Sequence, residues 1–474
     1  MTNPPQISGS PPRPKKNSAW KKWFTRLFIL CAIATIAVIV RFSVWRLRLH
    51  REINARVASI RAKGLPINWE DLSHWPSDVP DSENAALIYT NAIAHIHFEH
   101  LTSKLVNLPM PGEKISENDF SLVKQTVDTN QEGLQLIYSA EKFTKARFPI
   151  DYNLGPDAKL PHLSGLRGAA RLLAHDAFLK AERKDAEGAA KAAEASLHLS
   201  SALENEPLLI SQLTSLSILN ESCKSLERVL GKVTFSEPSL LRISTTLSLA
   251  DATNQILTGL IGDRALNGEY IRLAQDDVRK LVILGNQGAD EEDKADVPTR
   301  NPGFVWRYLG FFERDRNFYL RAMETNILAV TTPPPASLAL TNEVDELSRE
   351  AQNGLYISSS LFLPSYSRLT GRVATKDATI RTALAAIAIE RWRNQHAGVI
   401  PDSLDSLVPV YLPSVPVDPY NGEPLKFRKT SKGYVIYSVG PDRQDDGGKP
   451  QPLRSPKKQR HPNEHYDITF TVDR

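Results

Sequence analysis

Cysteine is nearly missing from this 474-residue chain: only Cys31 and Cys223 occur, far apart and outside any C-x-x-C spacing, so a disulfide framework and a zinc knuckle are excluded. Two cysteines are compatible with either side of a membrane and do not fix a redox compartment. The patterns H-E-x-x-H, G-x-S-x-G, G-x-G-x-x-G and the P-loop are all absent, which removes the usual signatures of zinc proteases, serine hydrolases and nucleotide-binding enzymes. Ser121 and Lys124 have S-x-x-K spacing without companion motifs, a pattern common by chance. Long apolar runs are equally scarce, and the one exception organises everything else.

That run is residues 27–40, LFILCAIATIAVIV, fourteen residues without a charge. Alone it is short for a hydrocarbon layer of about 30 Å. Extended over residues 24–45, with Arg26 and Arg41 snorkelling to the interfaces and Trp20, Trp23 and Trp45 as aromatic belt, it reads as a retained transmembrane helix in contact with membrane lipid. A cleaved signal peptide is the alternative, but bulky Phe42, Trp45 and Leu47 stand where a small-x-small site would be needed.

The positive charge sits at the same end. Residues 1–63 hold thirteen of the 58 Lys and Arg against one acid, Glu52, a local charge of +12, and the remainder carries −8. A basic belt beside an apolar run suits anionic lipid headgroups, at about 1 kcal/mol per residue near the surface, and nucleic acid is not the expected partner. Because both flanks are basic, the positive-inside rule decides little about orientation.

Residues 1–18, with five prolines and no apolar periodicity, read as a disordered tail. Residues 19–64 are the transmembrane helix and a helical stalk, whose Leu49, Ile53, Val57 and Ile60 spacing runs until Gly64 and Pro66. A multi-helix body over 65–370 follows, with a first helix starting near Asp81 or Ser82 and further helices at 116–143, 162–183, 185–205, 207–231, 236–285 and 303–329. The acidic stretch GADEEDKADVPTRNPG interrupts them; its residues 290–293 suit either a cation or plain solvation.

Ala174, Ala177, Ala181, Ala189, Ala190 and Ala193 recur at a spacing that lets two antiparallel helices approach closely. The pair resembles a single tetratricopeptide-type hairpin without a second copy, leaving an ordinary hairpin and a peptide-binding groove as its two readings. His95, His97, Glu99 and His100 share one predicted helix without a zinc-binding spacing, and His162, His175 and His198 are singletons read as core or capping residues. The order of these segments over about residues 47–330 resembles membrane-anchored helical proteins of planctomycete and verrucomicrobial type, whose activity is not established.

From about residue 371 the pattern changes to one helix (374–396), turns and short alternating strands, a small α+β module over 371–474. Asn421 and Gly422 signal a tight turn, and residues 425–427 and 434–437 alternate as antiparallel strands. Asp442, Gln444 and Asp446 with Gly447 open like an EF-hand loop, but Leu453 replaces the closing Glu, so the residues leave open an oxygen-rich calcium loop and a solvated acidic turn.

Arg391 and Trp392, His396, Gly398, Ile400 and Pro401, Pro416 to Tyr420, Gly422, Pro424, the run YSVGPD ending at Asp442, and Asp467 with Ile468 together resemble the soluble head of type II secretion pseudopilins, above all the major one. The resemblance implies a pseudopilin-like head with calcium at Asp442, Asp445 or Asp446, and Asp467. A basic insertion over 454–461 departs from the pattern. So does the anchor, which lacks the pilin Gly and Glu and lies some 330 residues ahead of the head, so the chain is not expected to polymerise as a pilin.

The expectation is a mainly α, single-pass protein of the bacterial inner (cytoplasmic) membrane with body and head outside the cytoplasm. It would be a noncatalytic scaffold or envelope factor partnering an envelope or secretion-system protein. A hydrolase in the helical body, resting only on that domain's size, and the peptide-binding hairpin are the alternatives.

Overall fold

The computed structural model describes residues 18–98, 108–274, 277, 279, 307–450 and 466–474. They are mostly helical, with one small sheet. The chain divides into two compact units, Met1–Ala55 and Arg56–Arg474.

The first unit contains most of α1 (Ser18–Ala62). Apolar side chains emerge on all sides of its N-terminal half, Phe28, Leu30, Ile33, Ile36 and Val38 among them, and all are exposed. The hydroxyls of Thr25 and Thr35 donate back to the carbonyls of Lys21 and Cys31 at 2.8 Å, so neither presents an unpaired polar group on that surface. This helix is long and apolar enough to cross a membrane.

The second unit runs through α2 (Trp69–Ser73), α3 (Ala85–Ala94), α4 (Glu117–Thr129), α5 (Gln131–Ser139), α6 (Pro161–Glu182), α7 (Ala186–Ser201), α8 (Leu209–Leu230), α9 (Glu237–Ala252) and α10 (Gln255–Ala274). It continues with α11 (Phe311–Thr331), α12 (Ala336–Ala339), α13 (Thr341–Asn353), α14 (Ile357–Phe362) and α15 (Leu369–Gln395), and ends in β1 (Lys426–Lys429), β2 (Gly433–Ser438) and β3 (Ile468–Asp473).

Asparagines set several boundaries that apolar periodicity placed elsewhere. The expected start at Asp81 or Ser82 is only a 3₁₀ turn, and the cap of α3 is Asn84. Its Oδ1 accepts the N–H groups of Ala86 and Arg147 at 3.1 and 2.9 Å while its amide donates to the Arg147 carbonyl, so one side chain starts the helix and binds an extended segment. The span 116–143 breaks at buried Asn130, which donates to the Thr126 carbonyl and accepts the His97 N–H at 2.7 Å. The span 236–285 breaks after Ala252, where Asn254 caps Leu257 and donates to the Val330 carbonyl at 2.7 Å. Lys376 closes the other side of that break: its ammonium donates to the carbonyls of Ala250 and Thr253 at 3.0 and 2.9 Å, cancelling the C-terminal partial charge of α9.

The alanine-rich hairpin of α6 and α7 forms as expected, turning through Lys184 at positive φ, with Asp185 capping Gly188 at 2.9 Å. Its small-residue faces are filled. Ala177, Ala181, Ala189, Ala190 and Ala193 are fully buried in one core with Leu226 of α8, Leu240 and Ile243 of α9 and Ile387 of α15. Helices α8, α9 and α15 cover this small-residue face.

The sheet has the order β1-β2-β3 and is antiparallel, with Phe427 opposite Ile436 and Ile436 opposite Phe470. Tyr434, Ile436, Phe470 and Val472 belong to the same core as α7, α8 and α15, so the hydrophobic interior runs without a break from the helices into the sheet. The β1–β2 connection is residues 430–432. Asn421 and Gly422 turn the chain one step earlier, between a single bridge of Val417 with Pro424, and Gly422 takes the positive φ the turn requires.

One buried carboxylate organises that turn. Asp418, 1% exposed, accepts the Ser438 hydroxyl at 2.9 Å and the N–H groups of Val439 and Tyr420 at 2.8 and 2.9 Å. Asp418→Ala would strand three donors, and a loss of about 3 kcal/mol is expected in urea denaturation, with Asp418→Asn losing less.

Candidate functional site

The C-terminal loop after β2 carries the four residues that the sequence nominated for calcium. Gly440, Gly447 and Gly448 bend it at positive φ, and Arg443 also takes a positive φ. Asp442 accepts the Gln444 N–H at 3.1 Å and Asp445 accepts the Gly447 N–H at 3.0 Å, both two residues on, in the Asx-turn manner. Asp445 also faces the Lys426 ammonium at 3.4 Å; slight burial opposes ionisation, but the Gly447 N–H, Tyr437 and Lys426 together hold its carboxyl below the usual range.

Asp467 is the clasp. Buried at the entrance to β3, it accepts the Gly448 N–H at 2.7 Å and the Asp446 N–H at 3.4 Å, and burial raises its pKa against the pull of those donors. Of the four, only Asp446 keeps a buried carboxylate oxygen without a partner. Among the described residues no three Asp, Glu, His or Cys side chains come together as a metal ligand set. Asp442, Asp445 and Asp467 each accept a backbone N–H of this loop, which leaves further lone pairs on every carboxylate. The basic insertion 454–461 lies outside the described residues. Chelation by EGTA is the check on the calcium reading: a resident ion would show as a fall in thermal midpoint, and an unchanged midpoint would remove it.

The histidines serve structure. The helix expected through His100 ends at Ala94; His95 is its C-cap, bonded to the Asn91 carbonyl at 2.8 Å, while Glu99 and His100 lie outside the described residues. His162 stacks on Phe148 and reaches Glu206 at 2.9 Å, and Ser211 donates to the same carboxylate. The three residue types of a hydrolytic triad are present in the wrong order, since the glutamate separates serine from histidine and all three are buried. His198 bonds the Tyr89 hydroxyl at 3.1 Å, and burial lowers its pKa, favouring the neutral ring. Ser121 and Lys124 are simply exposed on α4.

Asp263 of α10 is a further polar centre that periodicity could not single out. It accepts the Leu209 N–H at 3.1 Å and the Tyr366 hydroxyl at 3.4 Å, and burial pushes its pKa up to about 7. A carboxyl that keeps its proton to about pH 7 in the fold, but loses it near about 4 in the unfolded chain, favours folding most below pH 4. That contribution drains away as pH rises to 7. Asp263→Asn keeps the oxygen for Leu209 and should flatten the fall in thermal midpoint between pH 5 and 8; an identical slope in the variant would refute the assignment.

No protein-family model, curated protein or solved structure matches this chain.

Proposed function

We propose that the chain is a noncatalytic, membrane-tethered scaffold of the bacterial envelope, held by residues 24–45 in the inner membrane, with the helical unit and its pseudopilin-like C-terminal region facing away from the cytoplasm. The observation carrying this reading is the exposed apolar surface on all sides of α1, flanked by Trp20, Trp23 and Trp45 and by a dense set of Lys and Arg. Water is a poor solvent for that surface, whereas lipid satisfies it without any partner protein. The scaffold part of the reading is favoured by the way the buried polar groups are used: His162 with Glu206, Asp418 and Lys376 each fasten backbone or a neighbouring helix.

Reporter fusions behind Arg474 and ahead of Trp20 test the orientation: an exported C-terminus is expected, and activity of a cytoplasm-only reporter there would reverse it. Crosslinking in whole cells should then recover an envelope or secretion-type protein, and recovery of cytoplasmic proteins alone would overturn the assembly role.

A further inference from the structure

The face of the sheet turned away from α15 is not solvent-flat. Val435, Thr471 and Asp473 floor a cavity of about 750 Å³, walled on one side by Met110 and Pro111 and reached on another by Arg428 and Lys432. Gly112, at positive φ, brings its turn to the sheet edge, where a Cβ would stand 3.4 Å from the Asp473 carboxylate.

Glu227 of α8 enters this cavity from below. Its side chain is more than nine-tenths buried, and Oε1 accepts the Thr471 N–H of the β3 edge at 2.6 Å. Among the described residues no hydrogen bond to Oε2 is present, and Glu227 is one of the residues lining the cavity. Asp473, two residues along the same strand, adds a second carboxylate, which accepts the Thr430 hydroxyl at 3.3 Å. Two carboxylates in one half-enclosed space repel each other, and a cation between them would remove that repulsion and fill the vacant acceptor. The apolar walls of Met110, Pro111 and Val435 suit a methylene stem, and at about 750 Å³ the space exceeds what a hydrated metal ion needs.

We infer that this cavity binds an alkylammonium ion, its head on Glu227 and Asp473 and its aliphatic stem against Met110, Pro111 and Val435. Two sources supply that chemistry, a free diamine and the lysine side chain of a peptide. The site is independent of the membrane anchor and survives if the anchoring proposal fails.

Burial pushes the pKa of Glu227 up to about 7, with the Asp473 charge adding to the rise and the Thr471 N–H, Arg228 and Lys224 opposing it. Glu113, Arg428 and Lys432 are the other charged groups around the cavity. Binding of a cation needs the ionised carboxylate, so affinity should fall about tenfold per pH unit below 7.

The test is titration calorimetry of the full chain in detergent with 1,5-diaminopentane, with the peptide acetyl-Gly-Lys-Gly-amide, and with 1,5-pentanediol as the uncharged isostere. Saturable binding of either cation is expected, at least tenfold weaker in Glu227→Gln, which keeps an acceptor for Thr471, and absent for the diol. Diamine binding alone identifies a free cation as the ligand; peptide binding identifies a lysine side chain. If Glu227→Gln fails to fold, Met110→Trp, which fills the cavity, and the pH profile of the unmodified chain make the same discrimination. Failure of both cations to saturate, equal binding by the Gln variant, loss of binding in neither variant, or binding of the diol would overturn the assignment.

Discussion

Replacing Glu390 by alanine is expected to destabilise the second unit by about 4 kcal/mol, because it breaks a buried charge cluster from the centre. The side chain is 1% exposed and accepts from the Tyr434 hydroxyl at 2.8 Å, Arg393 at 3.0 Å and Arg474 at 2.6 Å. Arg474 in turn donates to the carbonyls of Leu230 and Val233 at 2.6 and 3.1 Å and to the Thr234 hydroxyl at 3.0 Å, tying the end of β3 to the connection between α8 and α9. Without the carboxylate, Arg393 and Arg474 lose their charged partner and, with Tyr434, keep only neutral acceptors such as the carbonyls of Gly398, Leu230 and Ala386. Urea denaturation gives the loss, and a double-mutant cycle with Arg474→Ala should return a coupling of about 2 kcal/mol. A total effect below about 1 kcal/mol would place the cluster with screened surface pairs and remove it from the account of how the sheet is held.

Lysines at Ile33 and Ile36 should release the chain from membranes. Both side chains are exposed near the middle of the apolar helix, and a Lys at the centre of a span costs about 3 kcal/mol, so the pair costs roughly 6 kcal/mol. The measurement is the share of protein left in the pellet after alkaline carbonate extraction, with circular dichroism of the released protein to verify that the helical unit is intact. Nearly complete retention is expected for the unaltered chain and transfer to the supernatant for the double variant. Equal pelleting of both, or extraction of the unaltered chain, would remove the anchor.

What the sequence made legible was whatever depends on periodicity. The apolar run, the α6–α7 hairpin and the long helix α15 all follow from spacing that survives any tertiary context, whereas the alternation expected in β2 is not seen, since all six of its residues are buried. Breaks inside long periodic stretches were not legible, since Asn130 and Asn254 interrupt helices through contacts with residues distant in the chain, His97 and Val330. α13 is hard to read from sequence although Val344, Leu347, Ser348 and Ala351 lie on one face, because its other positions are almost all polar. At the nominated loop, spacing could not say where each carboxylate turns; three of the four accept backbone amides of their own loop. Nothing local marks a glutamate on α8 as the partner of a strand 244 residues away.

That separation governs how the protein is made. When α8 and α9 leave the ribosome, the surface formed by Leu226, Leu240, Ile243 and Leu247 has neither α15 nor the sheet to cover it, and more than a hundred residues must still be synthesised. Nascent chains in that condition fold late and are sticky in the interval, so production should depend on holdase chaperones, and arrest of translation shortly after α9 should leave a protease-sensitive, aggregation-prone intermediate.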